Sequence, residues 1–244
     1  MRYTLIKILA IFGLAALAFV PLAVLADASS TAQSLSMTAQ KKIADSQIQA
    51  RLDYLNAALN RVNQMEKLGL DQRSGLTESL QASIDGMTNL KTKIDADTDP
   101  DELKADIQSI KESNRIYVLV LPQTRIIASV DRIADIISMM TDFNTKVQAR
   151  LSDEQTKGRD VSALSATIAD MNSQTADASI QAQTALSLVQ NLQPDNGDQN
   201  IFQSNKIALQ NGKAKITAAA NDLKIARKDI GTVLKIFQQF DKQG

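Results

Sequence analysis

The chain has 244 residues, 27 basic and 27 acidic side chains, no Cys, no His and no Trp, and only 4% aromatic residues. The balanced charge supplies no strong field for nucleic acid or anionic lipid. Without Cys there are no disulfides and no thiolate chemistry. Without His the usual neutral-pH proton shuttle and the commonest zinc ligand are gone, which excludes Ser-His and Cys-His catalysis and the common zinc sites. An apolar share of 44% is that of a globular chain, and with 9 Gly and 4 Pro, long stretches carry no helix breaker. That composition favours helices over a sandwich or barrel.

Met1 to Lys7 is a short basic start, Ile8 to Ala26 is an uncharged apolar run of 19 residues, and Ala26-Asp-Ala28 follows, with Ser29 and Ser30 beyond. This is the pattern of an export signal, cut after Ala28 or after Ala26. Pro21 would break the signal helix and present the cleavage stretch in extended form. The alternative is an uncleaved anchor, since the run approaches the roughly 20 residues that span a bilayer. Both place the remainder outside the cytoplasm. Removing residues 1–28 leaves 25 basic and 26 acidic side chains, a formal charge of −1.

Residues 29–38 read as a flexible lead-in, and 39–240 as a helical bundle broken near 69–73, 97–100, 122, 152–160 and 193–199. The first helix, about 39–68, carries Ile48, Leu52, Leu55, Leu59, Val62 and Met65 at spacings that fall on one face. The second, about 74–96, carries Leu76, Leu80, Ile84, Met87, Leu90 and Ile94, with Gly86 inside. The third begins at a strong signal, Asp99 as cap, Pro100 at the first helical position and Glu102 at the third. Leu103, Ile107 and Ile110 follow. Ile116 to Leu121 is apolar on all sides, so its periodicity does not separate a buried helix from a strand, and the flanking pattern favours helix. Pro122 is expected to kink or break the helix.

Beyond it, Ile126, Val130, Ile133, Ile137, Met140 and Val147 run in heptad-like order to about Ser152. A fourth helix, about 160–192, carries Val161, Leu164, Ile168, Met171, Ala178, Leu186 and Val189. Pro194-Asp-Asn-Gly-Asp198 is a turn. In the last helix, about 200–240, Leu209, Ile216, Leu223, Ile230 and Phe237 repeat every seven residues, and the small or short residues Gly212, Ala219, Ala226 and Val233 three positions on would admit a close neighbour. Leu80, Ile84 and Met87 match Leu164, Ile168 and Met171 at an offset of 84, either a duplicated hairpin or the ordinary likeness of helical stripes. Short loops make successive helices antiparallel, so the fold class expected is all-α, an elongated antiparallel helical bundle or coiled coil.

Asp95, Asp97 and Asp99 occupy positions 1, 3 and 5 of a calcium loop, with Asp106 at position 12. Pro100 stands where such a loop needs Gly, and Asp is shorter than the usual Glu. The competing account is that Asp99 caps a helix and its neighbours add favourable charge at its N-terminus. Ser204 and Lys206 are the nearest approach to a Ser-Lys pair, but residues two apart on a helix do not face each other. Tyr54 and Tyr117 read as stripe-edge residues. Lys213, Lys215, Lys224, Arg227, Lys228 and Lys235, interspersed with Asp222 and Asp229, read as a solvated face. No catalytic, cofactor or metal residue is therefore assigned, and no enzyme activity is expected.

Lys93-Ile-Asp-Ala-Asp-Thr-Asp99 and Tyr117-Val-Leu-Val-Leu-Pro-Gln-Thr-Arg-Ile-Ile-Ala-Ser-Val-Asp-Arg-Ile133 resemble segments of uncharacterised exported helical proteins of candidate-phylum bacteria, over about residues 40–150. The resemblance implies a bacterial cell-envelope protein and brings no functional residues with it. The expectation is an exported helical protein with a structural or protein-binding role, meeting a protein partner or itself through an apolar helix face. It would sit in the periplasm, at the cell surface or outside the cell, with membrane contact only through an uncleaved N-terminal segment. The alternatives are a helical-hairpin adaptor of a secretion or efflux assembly and, further off, a hydrolase using acidic or Ser-Lys groups.

Overall fold

A computed structural model describes residues 37–243; the expected export signal, 1–28, and most of the expected lead-in, 29–38, lie outside the described residues. Among the described residues there are five helices and no strand: α1 (Met37–Asn63), α2 (Leu70–Ala96), α3 (Pro100–Thr156), α4 (Ser162–Val189) and α5 (Gln199–Gln243). The all-α bundle is as the heptad spacing requires. None of these helices is long and apolar enough to cross a membrane.

The side-chain contacts fix how the helices run. Lys91 on α2 pairs with Asp45 on α1 at 2.5 Å, and the Lys41 ammonium donates to the carbonyls of Asp95 and Asp97, so α1 and α2 are antiparallel. Tyr54 meets Tyr117 edge-on at 6.5 Å, and Lys67 and Leu68 reach Asp131, so α1 runs parallel to the first half of α3. In the second half of α3, Thr175 of α4 lies against Met140, and Arg150 pairs with Asp241 near the end of α5. The bundle is therefore two sets of three helices joined by α3. α1, α2 and the first half of α3 form one set; the second half of α3, α4 and α5 form the other. The matched stretches with Leu80 and Leu164 take the same place, the middle helix of each set. Leu80, Leu164 and Met171 are fully enclosed there, and Met87 is nearly so.

Pro122 does not end the helix. α3 runs unbroken for 57 residues, about 85 Å at 1.5 Å per residue. The expected break at 122 is corrected by packing. A mid-helix proline costs about 3 kcal/mol. Leu119, Val120, Leu121, Ile126, Ile127 and Val130 are all buried around it, and each contributes about 1.5–3 kcal/mol. The carbonyl that loses its donor belongs to Val118, whose side chain is 48% exposed, on the side where water can take the bond. The same packing makes Ile116 to Leu121 helix rather than strand.

Other boundaries shift by a few residues. The first break falls at residues 64–69 instead of 69–73, because Met65 and Leu68 fold in as buried plugs and Gly69 precedes a helix that starts at Leu70. α3 continues past Ser152 to Thr156, then closes in a Schellman turn. Gly158 takes φ +76, its N–H donates to Gln155 O, and the Arg159 N–H donates to Glu154 O. α4 begins at Ser162, whose N–H is held by Asp160 Oδ1 at 2.9 Å. The 194–198 turn is as expected: Asn196 and Gly197 take positive φ, and Asp198 Oδ1 caps α5 through Asn200 N and Ile201 N.

The α4–α5 seam is built from small residues. Ala178, Ala182 and Ala185 on α4 and Ala219, Ala226 and Val233 on α5 are at most 4% exposed. The short row three positions beyond the heptad residues is thus the innermost row, while Leu209 and Ile216 are only half-buried. At Gly212 an added Cβ would stand 2.8 Å from Val189 Cγ1 and 3.4 Å from Ile126 Cδ1. At Gly231 it would meet nothing within 4 Å. Gly212→Leu is therefore expected to lower the unfolding free energy by about 2–3 kcal/mol through overpacking against a stiff valine. Gly231→Ala should raise it by up to about 1 kcal/mol through helix propensity alone. Urea unfolding midpoints of the two variants check this opposition of sign.

Candidate functional site

Among the described residues, most of the polar side chains that the fold buries lie on α3, near its start, its middle and its end. At the start, Asp99 Oδ1 accepts from Asp101 N at 2.7 Å and Glu102 N at 3.2 Å, so the first orphan amides of α3 are satisfied as the Asp-Pro-x-Glu signal requires. Of the other members of the calcium-loop pattern, the carboxylates of Asp95 and Asp106 are held by lysines, while Asp97 Oδ2 is buried without a hydrogen-bond partner. Asp95 pairs with Lys91 at 2.9 Å, and Asp106, only 4% exposed, takes the Lys93 ammonium at 2.7 Å. The Lys41 ammonium lies between the carbonyls of Asp95 and Asp97, 2.7 Å from each, at the negative end of α2. Hydrogen bonds that Lys91 donates to Asp45 and Asp95 raise its pKa, and one that Lys93 donates to Asp106 raises that of Lys93. Among the described residues no group of three or more acidic side chains is placed to hold a metal ion.

In the middle, two polar side chains of α3 reach across to loops at the junction of the helix sets. Asp131, buried, accepts from Lys67 N at 2.7 Å and Leu68 N at 2.8 Å through Oδ1. These amides follow the end of α1, where no helical carbonyl is available to them. Gln123, also buried, donates from Nε2 to Val189 O at 2.7 Å, at the end of α4, where carbonyls lack helical donors. Gln72 Nε2 donates to Gln190 Oε1 at 2.9 Å, and Asn205 Nδ2 to Gln193 O at 2.8 Å. The junction thus supplies acceptors to one loop and donors to the other.

At the end of α3, Glu154 is 3% exposed and faces three cations: Lys157 Nζ at 3.0 Å, Arg159 Nε at 3.2 Å and Arg150 Nε at 4.0 Å. Arg150 lies over the Phe237 ring at 4.4 Å and Arg159 over Phe240 at 5.3 Å. Arg159 also donates to the Phe240 carbonyl. This cluster ties the α3 terminus to the last turns of α5.

The remaining sequence candidates stay apart. Ser204 and Lys206 are both exposed, about 200° apart around α5. Tyr54 is 56% exposed and Tyr117 half-buried. Burial raises the Tyr117 pKa and lowers that of Arg51, whose charge opposes the rise at Tyr117. Lys213, Lys224, Lys228 and Lys235 are exposed, and Lys215 and Arg227 half-buried.

The sequence reading named Asp99 and Asp106 but missed Gln123, Asp131, Glu154 and Asn205. For three of these a signal was present. Gln123 stands three before Ile126, Glu154 seven after Val147 and Asn205 seven before Gly212, all on the apolar stripes. A polar residue on a stripe needs a partner when buried. Known protein families, curated proteins and solved structures give no match to this chain.

Proposed function

We propose that this chain is an exported helical scaffold of the cell envelope, with a structural or protein-binding role and no enzymatic one, and that it meets its partner through a helix face. The support comes from how the buried polar groups are used. Asp99, Asp131, Gln123 and Glu154 serve backbone caps and ion pairs that hold helices to one another. They are not gathered around a common point where a reacting atom could sit.

The observation that carries the partner reading is a set of large apolar side chains left outside the two helix stripes. Ile43 and Tyr54 on α1 are 48% and 56% exposed and lie about three turns apart on one side; Val118, 48% exposed, follows the Tyr117 that Tyr54 touches. Export rests on the basic-apolar-small pattern of residues 1–28. The hairpin-adaptor alternative needs a hairpin tip free of the body, whereas the tip of the α1–α2 hairpin is held to α3 through the Lys67 and Leu68 amides on Asp131.

The test is cross-linking of the chain in native envelope fractions, with the size of the purified protein measured by light scattering. The expected result is a cross-linked species in the envelope fraction that is lost in the Tyr54→Glu/Val118→Glu variant while the helical signal is kept. A compact monomer that does not fractionate with the envelope contradicts the proposal.

A further inference from the structure

Two exposed rows of opposite charge run along the outer sides of α2 and α5. On α2, Asp71, Glu78 and Asp85 stand seven residues apart, and all three are exposed. On α5, Lys228, Lys235 and Lys242 also stand seven apart and are exposed. Seven residues are close to two turns, so each row keeps to one side of its helix. That side is turned away from the buried residues, Leu76, Leu80 and Met87 on α2 and Leu223, Ile230 and Phe237 on α5. Glu78 and Asp85 accept hydrogen bonds from Ser74 and Gln81, both neutral and on the same helix. Among the described residues no ion pair takes in any of the six. Asp222 and Asp229, which stand among the lysines in sequence, lie about 100° or more around α5 from the lysine row.

Beside these rows are glycines that the packing of the chain does not call for. A Cβ at Gly75 or Gly86 on α2, or at Gly231 on α5, would meet nothing within 4 Å. Each weakens its helix relative to alanine, and each lets a second backbone come close. We propose that α2 of one copy of this chain packs on α5 of another, with the Asp71-Glu78-Asp85 row against the Lys228-Lys235-Lys242 row. The two rows share one repeat, about 10.5 Å at 1.5 Å per residue, so their charges match one to one along the contact. The chain carries 27 basic and 27 acidic side chains, so copies do not repel one another at long range. Because the two faces differ, each docked copy keeps one of them free for the next. The contact therefore extends unless its rotation closes a ring. It makes no use of Ile43, Tyr54 or Val118, and so stands apart from the partner face proposed above.

Sedimentation velocity of the purified full chain over a range of concentrations tests this. The wild type is expected to form species larger than a monomer. Association should weaken about tenfold between about 0.05 and about 0.5 M salt, as the screening length shortens. Lys228→Glu/Lys235→Glu/Lys242→Glu and Asp71→Lys/Glu78→Lys/Asp85→Lys should each weaken it at least about tenfold, since three weak attractions become repulsions. A chain carrying all six changes regains the match at unchanged net charge and should associate as the wild type does. Lys42→Glu/Lys104→Glu/Lys146→Glu makes the same change in net charge at exposed sites off the rows, and should leave association within about twofold. So should Tyr54→Glu/Val118→Glu, which separates this contact from the other face. If a reversal near a helix end costs the helical signal, Lys228→Gln/Lys235→Gln/Lys242→Gln and Asp71→Asn/Glu78→Gln/Asp85→Asn must show a smaller loss in the same direction. A monomeric wild type, a folded six-change chain that stays apart, or row variants no weaker than the off-row control overturn the proposal.

Discussion

Replacing Asp131 with Ala is expected to lower the unfolding free energy by about 3 kcal/mol, the cost of leaving one enclosed and one partly enclosed amide without an acceptor. One carboxylate oxygen serves both Lys67 N and Leu68 N at 2.7 and 2.8 Å, and the bond to Leu68 is fully enclosed. The link to Lys67 is partly open to solvent, so water recovers some of the loss there. The nearby Lys67–Asp135 pair, 3.9 Å apart with both partners about 40% exposed, adds little. Asp131→Asn keeps an acceptor of the same shape but not the charge, and should cost about 1 kcal/mol. The measurement is the urea midpoint at constant slope, with exchange protection at Lys67 and Leu68 lost in the Ala variant and largely kept in the Asn variant. Equal costs for Ala and Asn would mean that the loop amides do not depend on this oxygen.

Glu154→Ala is expected to be of similar size by a different mechanism. The glutamate is 3% exposed and partly neutralises Lys157, Arg159 and Arg150, which are 57%, 21% and 29% exposed. Removing one member of a buried ion network costs about 3–5 kcal/mol. These cations can turn toward water, and Arg150 retains Asp241, so about 2–3 kcal/mol is expected. The loss should be larger at low salt, since the wild type gains from a network that salt screens. Arg159→Ala should be less costly in charge but should also loosen the last turn of α5, because Arg159 lies over Phe240 and donates to its carbonyl. Thermal unfolding at two ionic strengths checks the sign. A variant whose loss does not change with salt would show that packing, not charge, holds this end.

Much of this architecture was legible because it rests on one period. Ile48, Leu55, Leu80, Leu103, Leu164 and Leu223 recur at helical spacing, and each is almost wholly enclosed. The Asp99-Pro100-x-Glu102 start and the Pro194 to Asp198 turn were legible for a different reason, since both depend on local backbone chemistry that neighbours in sequence supply. Pro122 was misread because a local penalty was weighed without the burial of the six aliphatic side chains around it. Asp131 was illegible. It lies beside the apolar stripe, and its two partners are 64 and 63 residues away. Of the buried alanines of α4, Ala178 was read on the stripe, but Ala182 and Ala185 escaped for a related reason. A small side chain is weak evidence of a core until the closeness of the next helix is known, and Val189 against Gly212 is a contact between chain positions 23 residues apart.

The account depends on α3 passing unbroken through Pro122 to join two three-helix sets. The chain has no Cys, so a pair of spin labels can be placed cleanly at Ala105 and Thr141, both exposed and 36 residues apart, which is ten turns and puts them on the same side of the helix. A continuous helix predicts a single narrow separation near 54 Å, at about 1.5 Å per residue. A broad distribution centred well below that would mean that the chain turns back at the proline, and the shared helix would have to be abandoned.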